Sequence, residues 1–450
     1  MKNLLLFILL VNATTNFAQD HFIGVNTSSR AGILNGALNP AEFSNLSKKF
    51  EVNIYGMSFN FSNNIVSLSD LNSDTDLEDL IFEGSSAVNA SVDLEFAGPG
   101  AAMRWEKWVF AFTTKGYVKA NVIDVDPNLG DALLNTNDLV VIGSNTISND
   151  YNQRITGTSW GEIGLSAART VFEDDQHKFN AGITMKLLFP GSYTNLGVDA
   201  FSGTITTGPT GAYLNNANAQ LNFSYSGNLS DNGTDFSDYT SSVFGGLHGF
   251  ATDLGVNYQW KDPSDPKKYK INAGMSLKNI GSMTFSDSDN ASDSYTLKIQ
   301  EPGLGLDLSE FQDVNSLKDV EQILLSHPGY LEENKISQDF KVKLPTTFNI
   351  YADFKIYTKF FITGQLQQKL QDNNGNSQIT AQNSFSIIPR VNLGFFEAYI
   401  PFSHNEFSGG NTGLGFRLGG FYMGSGSVIS ALINDSKQID LNMGFRWAFL

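Results

Sequence analysis

Between Lys178 and Pro190 every second residue is apolar. Phe179, Ala181, Ile183, Met185, Leu187 and Phe189 alternate with Lys178, Asn180, Gly182, Thr184 and Lys186. A period of two puts each set on its own face of a β-strand. Further on, Tyr269, Ile271, Ala273, Met275 and Leu277 alternate with Lys270, Asn272, Gly274, Ser276 and Lys278. Phe348, Ile350, Ala352, Phe354 and Ile356 oppose Thr347, Asn349, Tyr351, Asp353 and Lys355. At the end of the chain, Ile439, Leu441, Met443, Phe445, Trp447 and Phe449 oppose Asp440, Asn442, Gly444, Arg446 and Ala448. Strands of soluble proteins usually run about 5–6 residues, whereas a tilted membrane-crossing strand needs about 9–11. These segments hold register over the longer span.

Alternation alone also fits a soluble sandwich whose apolar face turns inward. A secreted soluble β-sandwich with an adhesive or structural role is therefore the alternative. Strand ends favour the membrane reading, because Trp105, Trp108, Tyr258, Trp260, Tyr357, Phe360, Phe402 and Trp447 sit where interfacial belts form. Link lengths favour it too. Long links (62–87, 122–151, 228–246, 281–344, 371–379, 404–411) alternate with short ones at 106–107, 172–177, 261–267, 358–359, Gly394 and Gly424. Such parity predicts an all-β, up-and-down antiparallel transmembrane barrel with both termini on the periplasmic side. The count is 14 strands, or 16 if the weaker pair near 193–207 and 217–227 also spans; that pair is read as an extension outside the membrane.

Residues 1–18 have the layout of a cleaved signal peptide: Lys2, an apolar stretch from Leu4 to Val11, and Ala18 before Gln19. Export to the cell outer membrane follows. Beyond Ala18 no apolar run approaches the roughly 20 residues of a spanning helix. With 46 acidic against 29 basic residues the net charge is −17, which argues against nucleic acid as a partner. No cysteine is present, so disulfides, thiolate zinc sites, iron–sulfur clusters and thiol catalysis are excluded.

Asn39-Pro40-Ala41-Glu42 reads as a helix start, with Asn39 as cap, Pro40 in the first turn and Glu42 placed for a capping box. Asn442-Met443-Gly444-Phe445-Arg446-Trp447-Ala448-Phe449 resembles the barrel-assembly signal of outer-membrane proteins, through Asn442, Gly444, Trp447 and Phe449. That pattern usually stops at its last aromatic, and here Leu450 follows. Asn-Pro-Ala before a first strand, with about 14 strands after it, resembles the long-chain fatty-acid transporter superfamily of Gram-negative outer-membrane barrels, which includes the type IX secretion shuttle barrel. The resemblance implies that the segment before the first strand folds into the bore as a plug. The expected organisation is a signal peptide at 1–18, a plug or periplasmic segment at 19–49, and a barrel at 50–450 with an outer insertion at about 281–344.

Catalysis is not expected. His21, His177, His248, His327 and His404 are scattered, and no nucleophile motif lies at a strand-to-helix junction. No metal or other cofactor is assigned. Asp231, Asp235 and Asp238, and Asp287, Asp289 and Asp293, supply hard oxygens, but without the final Glu of a twelve-residue calcium loop. Leu308, Phe311, Val314, Leu317, Val320, Ile323 and Leu324 predict one amphipathic helix ending at His327-Pro328-Gly329, and Leu77, Leu80 and Ile81 a second. Lys186, Lys270, Lys278, Lys355, Arg390, Arg417 and Arg446 are placed on the inward face with Asp253, Asp353 and Asp440, as in a salt-bridged, filled lumen. Expected partners are outer-membrane lipid, the barrel-assembly machinery, and either a small hydrophobic ligand or a secretion-system or surface protein that docks on the barrel.

Overall fold

The computed structural model describes residues 21–28, 30–72, 77–82, 84–134, 143–208, 211–227, 246–286, 290–300, 305–312, 314–433 and 436–449. Residues 1–18, Asp231, Asp235, Asp238, Asp287, Asp289 and Leu450 lie outside them.

Fourteen antiparallel strands form one closed ring. In order they are Phe50–Asn63, Val88–Ala97 continued by Gly100–Trp105, Trp108–Val125, Asn152–Glu173, His177–Gly208, Gly249–Asp262 and Asp265–Phe285. There follow Phe340–Lys343 continued by Thr347–Tyr357, Phe360–Lys369, Ser384–Asn392, Phe396–Tyr399 continued by Phe402–Asn405, Gly409–Thr412 continued by Leu414–Leu418, Phe421–Ser425 and Gln438–Phe449. The first and last strands pair from Phe50↔Phe449 to Ser62↔Gln438 and close the ring. Closure leaves the sheet no open edge, the condition for a sheet to sit in lipid. A two-sheet sandwich is thereby overturned: these strands form one sheet curled on itself.

The alternating faces separate as the pattern predicts. Phe179, Ile183 and Met185 are exposed on the outside while Asn180, Thr184 and Lys186 are buried within. Trp105, Trp108, Tyr357, Phe360, Phe395 and Trp447 stand exposed at the tight-turn end, forming an aromatic girdle. Two neighbouring residues are inverted. Lys270 points outward over the Trp260 ring, 5.1 Å from its centre, and Tyr269 points inward to donate to Asp353 Oδ2 at 2.5 Å. Two register shifts flanking Tyr269 cause this, because a bulge's extra residue swaps the faces of its neighbours.

Three links also differ from expectation. Residues 404–411 are a hairpin, Phe402–Asn405 paired with Gly409–Thr412, rather than a long loop. Gly424 lies inside a strand, and the turn falls at Gly419-Gly420, where Gly419 adopts a φ of +59°. The 281–344 link is largely built: its strand runs on to Phe285, Ala291–Ile299 pairs with Gly211–Ser226, and Asp293 sits buried on that strand, accepting from Ser337 N. The expected single helix is broken in two. Leu308–Phe311 is one short turn, and Leu317–Ser326 restarts behind a Ser316/Asp319 capping box.

The strand His177–Gly208 and its neighbour Gly211–Ser226 run past the ring, as read for the weaker pair, and the wall stays at fourteen. Phe201, Phe223, Leu297, Leu308 and Leu324 give this extension its own core, so the amphipathic helix packs there and not at the bore. Within it Glu321 accepts from Tyr225 OH at 3.0 Å and Tyr295 OH at 2.7 Å. Burial, aided by nearby Asp293, pushes the Glu321 carboxyl above its ordinary 4.5. The folded extension thus holds this proton more tightly than the unfolded chain does. Its contribution is full below pH 4.5 and lost as pH rises through the raised value. Hydrogen exchange over 317–326, corrected for intrinsic rates, should show protection falling from pH 4 to pH 7, and Glu321→Gln should remove that dependence.

Candidate functional site in the bore

Residues 21–28 and 30–46 run inside the ring, and the sequence explains the turn that seats them. Asn39 is extended (φ −150°, ψ 116°), its Oδ1 accepts from Ala41 N at 2.9 Å, and Pro40 opens a 3-10 helix over Pro40–Asn45. The side-chain amide faces the wall. Asn39 Nδ2 donates to Val256 O at 2.9 Å, Met275 O at 3.3 Å and Tyr351 OH at 3.3 Å. Three wall glycines make room for this motif. A Cβ on Gly255 would lie 1.9 Å from Asn39 Oδ1, one on Gly274 2.6 Å from Asn39 Nδ2, and one on Gly182 2.5 Å from Ala41 N.

Glu42 does not close a capping box, because the Asn39 backbone N–H is already committed to Asn35 O. Its carboxylate instead crosses to the wall. Oε1 accepts from Asn257 Nδ2 at 2.9 Å, Asn272 Nδ2 at 2.8 Å and the Tyr351 hydroxyl, and Oε2 accepts from Asn45 Nδ2 at 2.7 Å. All four donors are neutral. A buried carboxylate without enough hydrogen bonds is costly, so these four bonds are what make its position tenable. Below this node Ile33, Phe43 and Leu46 pack on Ala102, Val109, Ala111 and Ala168 and fill the tight-turn end.

Above the node lies a chamber of about 140 Å³. One side is apolar: Phe22, Ile33, Leu34, Leu38 and Phe43 of the inner segment, with Trp160 of the wall. The opposite side is ion-paired. Lys115 meets Glu95 at 2.6 Å, Lys119 meets Asp93, His21 Nε2 lies 3.0 Å from Asp93, and Lys186 bridges Asp253 at 2.9 Å and Glu162 at 3.4 Å. Lys278 reaches the same chamber. Deeper pairs stiffen the wall, notably Arg390–Asp353 at 2.7 Å, Arg446–Glu51 at 3.1 Å and Lys355–Asp262. Arg417 has a different role: it donates to the Gly419 and Gly394 carbonyls at the tight turns. Asp440 accepts from Gly426 N and Ser427 Oγ at the other end of the last strand.

The wall is interrupted beside this chamber. Pairing with the first strand jumps from Gly56↔Ala97 to Asn53↔Gly100, so Gly98 and Pro99 leave the ladder on that side, while Gly98 N still donates to Thr114 O at 2.9 Å on the other. Pro99 has no N–H to give. Asn53 Nδ2 spans the gap, donating to Gly98 O at 2.8 Å and Ala97 O at 3.4 Å, and Thr114 Oγ1 donates to Pro99 O at 2.8 Å. Asn53 and Ala97 also line the chamber, while Ile54 and Tyr55 stand exposed outside.

The long-link end is lidded by residues 371–379. Arg154, fully buried, donates from Nη1 to Asn373 O at 3.0 Å, from Nη2 to Gln378 O at 3.1 Å and from Nε to Asn195 Oδ1 at 3.0 Å. Tyr193 OH donates to Asn376 O at 2.7 Å, and Gly197 leaves space for the Asn376 side chain. Ile379 caps an aromatic layer of Trp160, Tyr193, Phe285 and Phe340. Neither the lid nor Arg154 carried a sequence signal, since Arg154 bonds carbonyls more than 200 residues away.

The remaining sequence candidates divide between the two faces. Asn442 is buried in the bore, and Gly444 leaves room for Tyr422, whose hydroxyl would sit 2.2 Å from an added Cβ. Trp447 and Phe449 are exposed outside, where Phe449 meets Phe50 edge-on at 4.9 Å. Among the histidines, His21 alone reaches the chamber; His177 pairs with Tyr258 OH and His327 lies 3.3 Å from Glu310.

The profile of the family of unknown function DUF5723 matches residues 40–426, most of the chain. The chain belongs to DUF5723. No curated protein matches this DUF5723 member. Solved structures similar to it include the TodX deltaS2S3 mutant monoaromatic hydrocarbon channel, at TM-score 0.48 and 8% identity over 93% of this chain and 95% of that one. Others are the P. putida toluene transporter TodX (0.42, 8%, covering 92% and 94%) and the Ralstonia pickettii toluene transporter TbuX (0.41, 9%, covering 93% and 94%).

Proposed function

We propose that the chain is a gated barrel of the Gram-negative outer membrane that admits a small, largely apolar molecule to the chamber between plug and lid. Residues 1–18 are removed on export, 19–49 are the plug, and the barrel-assembly machinery recognises the last strand through Asn442, Gly444, Trp447 and Phe449. The observation that carries the reading is the chamber itself. It has an apolar side large enough for a small molecule, and Asn53 and Ala97, next to the break at Gly98-Pro99 in the pairing with the first strand, line it. A molecule leaving there would enter lipid without crossing the plug, with the Asn53 amide as the movable bar. The role is passage, not catalysis.

Uptake of the fluorescent apolar probe N-phenyl-1-naphthylamine by expressing cells checks this. Leu38→Trp fills the chamber from the plug and Ala381→Trp from the segment that follows the lid. Both variants should take up the probe no faster than cells lacking the protein, while keeping heat-modifiable gel mobility. Unchanged uptake in both would exclude the chamber as a route. A second reading is favoured by the extension, whose separate core makes a platform beyond the ring: a docking barrel for a secretion or surface partner. Deleting that extension would then abolish partner capture and leave probe uptake intact.

A further inference from the structure

We propose that a second pocket, on the outside of the wall at the long-link end, seats an acyl chain of an outer-leaflet lipid. The site rests on the membrane-spanning reading above. The pocket is about 220 Å³ and is lined by Phe61, Ile65, Leu68, Ile81, Val88 and Ile439. It opens outward, because Phe61 and Ile439 are partners across the closing seam while their neighbour Ser62 is buried inside the bore.

The roof is residues 64–71 of the first link, folded back over the wall and held by polar groups. Asn63 Oδ1 accepts from Ile65 N at 2.9 Å and Val66 N at 2.6 Å, Asn64 Nδ2 donates to Ala87 O at 2.7 Å, and Leu68 N donates to Ser436 O at 2.9 Å. Asn63, Asn64, Ser67 and Asn89 also line the space, but their side chains are hydrogen-bonded to the link and the wall, which leaves the apolar side chains to face it. Water gains no hydrogen-bonding partner there, so filling the space with hydrocarbon is favoured. The source of hydrocarbon is set by position: Phe61 and Ile439 belong both to the pocket and to the outward apolar face that meets lipid. Lys437, at the rim, is tied to Asn64 O at 2.8 Å, which keeps the cation out of the apolar floor.

The chain has no cysteine, so single labels can be read without background. Bimane on Leu71→Cys, at the pocket, and on Phe110→Cys, on the open wall, would be compared in phosphatidylcholine vesicles carrying a nitroxide on the acyl chain or on the headgroup. Acyl nitroxide should quench both positions strongly and headgroup nitroxide should quench Leu71→Cys less. Adding Ala90→Phe, which fills the pocket, should weaken acyl quenching at Leu71→Cys severalfold and leave Phe110→Cys unchanged. Quenching at Leu71→Cys that is stronger from the headgroup, or insensitive to Ala90→Phe, would overturn the pocket alone. Failure of quenching at both positions would overturn the membrane-spanning reading with it.

Discussion

Gly255→Val should open a bore that is closed in the wild-type protein. A side chain there would occupy the place of Asn39 Oδ1, 1.9 Å from the new Cβ, and press on Pro40 Cδ at 3.1 Å. The wall cannot yield, because Gly255 lies in a continuous ladder between two strands. The plug must move instead. Losing the Asn39 bonds and leaving their buried partners unsatisfied costs about 3–5 kcal/mol, enough to shift a docked plug toward release by roughly 10²–10⁴-fold. In planar bilayers the wild type should show no large conductance steps and Gly255→Val should show frequent ones. Gly364→Val is the control, since a Cβ there meets nothing within 4 Å. Equal conductance in all three proteins would mean that the motif does not hold the plug.

Arg154→Met should loosen the opposite closure. The substitution leaves the carbonyls of Asn373 and Gln378 without their donor in a buried setting. At about 1–3 kcal/mol for each orphaned group, local opening of the lid should become roughly 100-fold more frequent. Ile379→Cys reports this, because its side chain is 2% exposed beneath the lid. Its labelling by a membrane-impermeant maleimide should accelerate by about that factor, following the opening equilibrium. Arg169→Met should do nothing to the lid, as Arg169 stacks on Trp108 at the far end of the wall.

Much of the ring was legible because a strand's period is local. Lys178 to Pro190 and Thr347 to Tyr357 each state their own two faces, and the structure keeps both. The pattern misleads where the count slips. Lys270 and Tyr269 exchange faces at a bulge that no residue type announces, and Gly424 lies in a strand although it resembles a turn residue. Asn39 and Pro40 were readable as a helix start, since capping is a contact within two or three residues. The purpose of that start was not readable. Gly182, Gly255 and Gly274 come from three strands and become a niche only when the ring brings them together. Glu42 fits a capping box by spacing, and the box loses to four donors on distant strands and on Asn45. Arg154 was invisible for the same reason, as its partners are backbone carbonyls of a link with no pattern of its own.

The central claim is that residues before the first strand sit inside the ring. It is tested most directly by joining Asn45 of that segment to Asn180 of the wall, whose side chains are hydrogen-bonded at 3.1 Å. In an otherwise cysteine-free chain, Asn45→Cys with Asn180→Cys should form an intramolecular cross-link under mild oxidation in intact membranes. Either single variant should not. The linked protein should then resist release of the plug when Gly255→Val is added, and its conductance should stay closed. An unreacted pair in a correctly folded barrel would place the segment outside the bore and contradict the account.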